Sequence, residues 1–330
     1  MDILNYENSY KTNLLVEQHF HGAFGVDFST CESDEILFLA KKLLTHGIGG
    51  FYPTLVTDSV ENIKRQIKRI KTAREKQTPE MAEILGIHIE GIFINPEKKG
   101  IHDEKLFLTP TIENYKLIED DLIKIVTLAP ELDKNGELIR YLSDKGIKVQ
   151  AGHCVGGDLK GCSGATHLFN AMTGISHREK STALSALIND EIYTEVIADG
   201  VHLSDDILEL IFKTKPEDKI ILVSDSLPLA GGVNDLTQSG SPYIFAGSNI
   251  YYDGKRATSE GGTIAGSTAI LDEIIRKLAR SFKEFDKYVK MASDNLYKYH
   301  NINLDGCVYW DENFEVVSVE KNGTVLCKKG

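Results

Sequence analysis

Short apolar runs and amphipathic stretches alternate along this chain about eight times, and no other sequence feature limits its fold as tightly. The runs are Leu14–Val16, leading into Glu17–Gly22, then Gly49–Thr57, Ile84–Glu90, Ile123–Ala129, Ile147–Ala151, Gly164–His167, Tyr193–Ala198 and Lys219–Val223. Most are short, rich in Ile, Val or Leu, and closed by Gly or a polar residue. That is the pattern of a strand buried on both faces. Helical spacing appears between them, over Ser33–His46, Val60–Lys76, Ile112–Glu119, Glu137–Lys145, Ala183–Asn189 and Ser204–Lys213. Ser33 with early acids, then late lysines and Gly47, mark the two ends of the first helix. Alternation over this length fits an α/β fold of the TIM-type (β/α)8 barrel kind better than an open doubly wound sheet. The sixth strand is the thinnest element.

In such a barrel the chemistry sits at the C-terminal ends of the strands, and the ionisable residues of this chain collect there. His19 and His21 close the first run, Glu90 the third, His153 the fifth and His167 the sixth; His202 follows the seventh and Asp225 the eighth. Of only ten histidines, five stand at strand ends. His19 and His21 are two apart on an extended strand and point the same way. Alone, that pair fits two solvated histidines as well as a metal site. A carboxylate such as Glu90 at the end of a buried strand is costly without a metal, a proton or a partner. Five histidines and two acids on one rim would each need a buried partner, whereas a divalent metal satisfies them together. The set offers imidazole and carboxylate and no thiolate, which suits Zn first, then Fe, Ni or Mn, as one or two ions.

A formal net charge of −12 argues against a nucleic-acid surface, which needs a basic face. No apolar run approaches a membrane span, and the opening MDILNYENSYK lacks the basic-then-apolar layout of a secretory signal. The expectation is a soluble cytoplasmic protein. Five scattered cysteines without a CxxC pair indicate reduced thiols; Cys154, beside His153, reads as a small buried residue. Beyond Asp225 the sequence reads as a Gly/Ser-rich loop and a hairpin over Tyr243–Ala257 turning at Asp253-Gly254. Helices over Ser267–Ser281 and Asp286–Tyr299 follow, then three short strands over Gly306–Lys329. Residues 12–300 are assigned to the barrel, 1–11 and 301–330 to a small β appendage.

The motifs HFHG, HIEGIFINPEKKGIH, GHCVG, GATHLFNAM, ADGVHL, SDSLPLAGG and GGTIAGST stand in this order from about Leu14 to Glu273. In combination they resemble those of the N-acetylglucosamine-6-phosphate deacetylases within the amidohydrolase superfamily. GGTIAG by itself is not a phosphate-binding glycine loop, because it follows no predicted strand of a βαβ unit. The resemblance implies that Glu90, His153 and His167 hold a metal, with His19 and His21 able to complete a second site. It makes Asp225 the general acid/base and matches His102 to a position that contacts the sugar phosphate, from which the ring can also hydrogen-bond a developing oxyanion. Ile101, Asn170, Ala171, Arg178 and His202 take positions around the sugar phosphate, and Ile264 closes over it. The activity implied is hydrolysis of the acetamide of N-acetylglucosamine 6-phosphate to glucosamine 6-phosphate and acetate, in amino-sugar catabolism. A homodimer is also implied, in which Arg178 reaches a neighbouring subunit's site. Lys98 and Lys99 read as a solvated loop pair.

Two alternatives stay open. One is the same chemistry on N-acetylgalactosamine 6-phosphate or another amide. The other is a non-enzymatic sugar-phosphate-binding paralogue, for which the trimmed chain is the motive, although its rim keeps every ligand and the acid/base. Two departures from the family carry structural expectations. The segment from His153 to His167 is short, so the helix between strands five and six is cut to a loop, VGGDLKGCSG. Few residues precede strand one, so the small sandwich that the family builds from both chain ends is expected to reduce to the Gly306–Lys329 strands plus whatever Met1–Tyr10 adds.

Overall fold

The computed structural model describes residues 10–232 and 241–327. At its centre are eight parallel strands: β1 Leu15–Phe20, β2 Ile48–Val56, β3 Ile87–Glu90, β4 Ile123–Leu128, β5 Lys148–Ala151, β6 Gly164–Ala165, β7 Tyr193–Val196 and β8 Ile220–Leu222. They are hydrogen-bonded to one another in sequence order. The chain just beyond β8 returns to β1: Asp225 N–H donates to His19 O at 2.9 Å and His21 N–H to Ser226 O at 2.8 Å. The sheet is therefore curled into a barrel of the TIM type. Every residue of β1 and β2 is buried, as strands covered on both faces require.

Six helices follow strands of the barrel: α1 Ser33–Thr45, α2 Val60–Glu75, α3 Ile112–Tyr115, α4 Glu137–Asp144, α5 Thr182–Ile188 and α6 Asp205–Thr214. α1 buries Ile36, Leu39, Ala40, Leu43 and Leu44, the three-and-four spacing of one helical face. Glu32 rather than Ser33 caps it, with Glu35 Oε2 accepting Glu32 N–H at 2.7 Å. Ser59 and Ser204 cap α2 and α6 by accepting the N–H groups of Asn62 and Ile207. α3 is a single turn instead of the helix expected through Glu119, since Asp120 Oδ1 accepts Leu122 N–H at 2.9 Å and turns the chain into β4. No helix joins β5 to β6. Leu159 and Cys162, both buried, fill that side in place of a helical stripe, as the short spacing predicts.

After β8 the chain forms an antiparallel meander, β9 Tyr243–Phe245, β10 Ser248–Tyr252, β11 Ala257–Ser259 and β12 Ile264–Gly266. Only its central hairpin is evident from the sequence. Asp253 Oδ1 closes that turn by accepting Lys255 and Arg256 N–H at 2.8 and 2.7 Å. Helices α7 Leu271–Phe282, α8 Phe285–Met291 and α9 Asp294–His300 come next. The single helix expected over Asp286–Tyr299 is broken at Ser293, whose backbone leaves the helical region (φ −137, ψ −83) while its hydroxyl donates to Val289 O at 2.7 Å. Strands β13 Gly306–Trp310, β14 Val316–Lys321 and β15 Thr324–Cys327 form an antiparallel sheet, and the strand Tyr10–Asn13 pairs with β13. The division drawn between residues 11 and 12 thus falls inside a strand. The contribution expected from the first nine residues lies outside the described residues. Among the described residues no helix is long and apolar enough to cross a membrane. Cys31, Cys154, Cys162 and Cys307 are buried free thiols.

Candidate metal centre

The C-terminal ends of β1, β3, β5, β6 and β8 converge on the Glu90 carboxylate, which is 3% exposed. Its Oε1 lies 3.0 Å from His167 Nε2, 3.2 Å from His153 Nε2 and 3.3 Å from His19 Nε2. Its Oε2 lies 3.2 Å from His21 Nε2. Asp225 Oδ1 stands 3.1 Å from His21 Nε2 and 3.5 Å from His19 Nε2. His19, His21 and Asp225 form one group able to hold an ion, and Glu90, His102 and His153 form another.

Protons decide what this cluster needs. His153 Nδ1–H donates to Lys98 O at 2.8 Å, and His19 Nδ1–H donates to Glu195 Oε2 at 2.8 Å. With a neutral ring, each of these bonds leaves a bare Nε2 turned toward carboxylate oxygens, acceptor against acceptor. His153 Nε2 and His167 Nε2 are only 3.1 Å apart, and His19 Nε2 has no hydrogen-bond partner. A shared cation relieves all of these contacts. The spacing fits one, because a tetrahedral ion bonded at about 2.0–2.1 Å sets its ligand atoms about 3.3 Å apart. Protons are the other remedy. Burial lowers the His21 pKa, but hydrogen bonds to Asp225 and Glu90 outweigh it and raise the value to about 9. Burial pushes the Glu90 carboxyl up, yet the His19 charge and the His153 and His167 contacts hold it well below the usual carboxylate range.

Backbone strain marks the same residues. His153, His167 and Asp225 have φ of 48, 30 and 51, a left-handed conformation that costs a non-glycine residue on the order of 1 kcal/mol or more. The surroundings hold it in place: His153 O accepts Asn95 N–H at 2.9 Å, and Asp225 O accepts Ser267 N–H at 2.8 Å.

Above the cluster opens a cavity of about 660 Å³. Its wall includes His21, Glu90, His153, His167 and Asp225, and, from the sugar-phosphate positions, Ile101, His102, Asn170, Ala171, His202 and Ile264. His19 lies beneath, fully buried. Arg178 is not brought to this wall: it is exposed on its loop, its backbone N–H donating to Ser176 Oγ at 3.3 Å. Lys98 and Lys99, expected as a solvated pair, are partly exposed, with Lys99 Nζ 3.1 Å from Glu104 Oε2, and they also border the cavity. The turn that carries them, Pro96–Lys98, is fixed by Asn95 Oδ1 accepting Glu97 N–H and by the Lys98 carbonyl on His153.

Three supporting residues escaped the sequence reading. Thr57 Oγ1 accepts Ile92 N–H at 2.9 Å and lies 2.7 Å from His102 Nδ1. Gly91 makes room for that pair, since a Cβ there would stand 2.1 Å from Thr57 Oγ1. Asp199 Oδ2 is 2.9 Å from His202 Nδ1; burial opposes the imidazolium, and this contact raises the His202 pKa above its ordinary value. Glu195 accepts from His19. Its signal was a lone acid in the middle of an apolar strand.

No protein-family model matches the chain. It is 33% identical over 283 residues to the N-acetylglucosamine-6-phosphate deacetylase of Bacillus subtilis, an alignment covering 82% of this chain and 69% of that protein. With the protein of the same name from Homo sapiens it shares 34% identity over 284 residues, 79% of this chain and 67% of that one. The N-acetylgalactosamine-6-phosphate deacetylase of Escherichia coli O157:H7 is 28% identical over 273 residues, 80% of this chain and 70% of that one. Among solved structures, N-acetylglucosamine-6-phosphate deacetylase from Pasteurella multocida matches with a TM-score of 0.87 and 25% identity, over 97% of this chain and 87% of that chain. The one from Thermotoga maritima matches at 0.85 and 26%, over 96% and 89%. Similarity carried through four-fifths of the sequence, on a shared fold whose strand ends gather histidines and carboxylates, establishes that this chain belongs to the N-acetylglucosamine-6-phosphate deacetylase family.

Proposed function

We propose that this chain hydrolyses the acetamide of N-acetylglucosamine 6-phosphate, giving glucosamine 6-phosphate and acetate in amino-sugar catabolism. The single observation that carries the reading is the approach of His153 and His167 to one oxygen of Glu90, within 3.2 Å, on the floor of a cavity. Glu90, His153 and His167 would hold a divalent ion, and His19, His21 and Asp225 offer donors for a second. The donor set favours zinc. When bound, such an ion acidifies water and polarises an acyl oxygen.

The chain's own groups supply the rest. The Asp225 carboxyl is pushed up by burial, but its hydrogen bond to His21 and the nearby histidine charges hold it below the ordinary value, so it is ionised at neutral pH. It therefore starts as a base, takes a proton from the attacking water and returns it to the amine that leaves. Burial, reinforced by His153, lowers His102 to about 3, so this ring is neutral. When the Thr57 hydroxyl donates to His102 Nδ1, His102 Nε2–H faces the cavity as a donor for the developing oxyanion. His202, whose imidazolium form Asp199 favours against the cost of burial, suits the phosphate along with Asn170, Ala171 and Ile101, and Ile264 on β12 covers the sugar. Arg178, exposed and away from this cavity, serves the phosphate of a neighbouring copy in a homodimer. The acidic, thiol-bearing chain fits the cytoplasm.

The test pairs metal content with acetate release from the purified protein. Bound divalent metal and stoichiometric acetate from N-acetylglucosamine 6-phosphate are expected. A protein that binds metal but releases no acetate would be a binding paralogue, and kcat/KM on the galacto epimer in the same assay ranks the two sugars.

A further inference from the structure

We infer that Glu195 positions the metal centre: it holds His19 with a bare Nε2 turned toward Glu90 and Asp225, ties that ring to the turn carrying His167, and so governs how tightly the centre binds a divalent ion. Glu195 lies on β7 and is 1% exposed. It forms no part of the cavity wall, so it touches no substrate and acts only through its partners.

Those partners are all donors. Oε2 accepts His19 Nδ1–H at 2.8 Å and the backbone N–H of His167 at 3.2 Å. Oε1 accepts Gln18 Nε2–H at 2.6 Å. The Gln18 amide is oriented in turn, because its Oε1 accepts His300 Nε2–H at 2.8 Å. The backbone joins the grip, with Glu195 O accepting Leu168 N–H at 2.8 Å. One residue thus fixes the tautomer of His19 and clamps both sides of the strained His167 turn. A carboxylate on the far nitrogen of a ligating imidazole sets ring orientation and raises its basicity, and losing it typically weakens metal binding about 10–100-fold. Glu195 also bridges the two ligand groups, since His19 stands beside Asp225 and His167 beside His153.

This inference rests on the metal-centre reading, and its test separates the two. Zn2+ and, separately, Mn2+ affinities are measured by competition with a chromogenic chelator on the full chain. E195Q is expected to fold and to bind the ion roughly 10–100-fold more weakly. Its turnover should recover with excess metal, with KM for the sugar phosphate unchanged. Adding E195Q to H19N should weaken binding by less than E195Q weakens the parent, because only the contact to the His167 turn is left to lose. Parent-like affinity in E195Q, or a full additional loss in the double variant, would overturn the inference. If E195Q does not fold, E195D decides: its shortened reach cannot serve both His19 and His167, so weaker binding supports the clamp and parent-like affinity refutes it. A parent chain that binds neither ion refutes the metal reading itself.

Discussion

The interior of this barrel holds two populations of buried histidine, and they differ in the balance of donors and acceptors rather than in burial. In mid-barrel, His88 Nε2 meets Thr127 Oγ1 at 2.8 Å and Nδ1 meets Thr54 Oγ1 at 3.3 Å. Hydroxyls donate or accept as required, so the ring is content when neutral, and burial lowers its pKa to about 3. Farther from the cavity, the partly buried His300 donates to Gln18 and stacks on Tyr52 at 4.6 Å. At the C-terminal rim, His19, His153 and His167 instead crowd one carboxylate, and the Nδ1 bonds of neutral His19 and His153 leave their Nε2 atoms with nothing to donate. A buried histidine is a structural part when its neighbours adapt to it, and a ligand when its neighbours are acceptors like itself.

The sharpest way to break this contrast is Glu90→Gln. Replacing the shared carboxylate should remove most bound metal and essentially all turnover, read by elemental analysis and acetate release. A variant retaining both would reduce the rim cluster to ordinary hydrogen bonding. Asp225→Asn comes next. Metal and substrate binding should survive, while kcat falls by about 10²–10⁴, the range for loss of a general acid/base. An unchanged kcat would move the proton transfer to another residue.

The contrast also explains what the sequence discloses. Strands such as Ile48–Val56 are legible because every residue is buried and apolar content must show it. Glu90, His153 and His167 are legible because they stand where strands end, a place set by connectivity alone. Glu195 is not, because an acid within a strand reads the same whether it holds a histidine or merely a backbone amide. The break between α8 and α9 is hidden for a similar reason: Ser293 is unremarkable in helical spacing until its hydroxyl turns back on Val289. The cavity role of Lys98 and Lys99 depends on a loop path fixed by Asn95 and His153, side chains distant in the chain. Contacts made across the fold leave no local signature.

A smaller effect probes what the single chain leaves outside its own cavity. Arg178→Ala should raise KM for the phosphorylated sugar roughly tenfold or more, the worth of one charge-assisted contact, with kcat largely kept. KM for N-acetylglucosamine without phosphate should not move. Equal effects on both sugars would assign Arg178 to folding or assembly instead of phosphate recognition.

The smallest effect, at neutral pH almost nothing, concerns His300. Burial and then the Lys148 charge lower its pKa to about 3 in the folded chain, against about 6.5 in the unfolded one. As pH falls, the unfolded chain takes up this proton near 6.5, whereas the folded chain waits until near 3. The stability linked to His300 is therefore fully present above pH 6.5 and drains away between there and about pH 3. His300→Gln keeps a donor for Gln18 Oε1 and has no proton to gain. Denaturation of parent and variant from pH 7 to 5 should show the parent losing stability faster, by up to about 1.4 kcal/mol per pH unit for one proton. The rim histidines titrate alike in both proteins and cancel in the difference. Parallel curves would mean that His300 protonates freely in the folded state, and the distinction between adapted and ligating histidines would then rest on His88 alone.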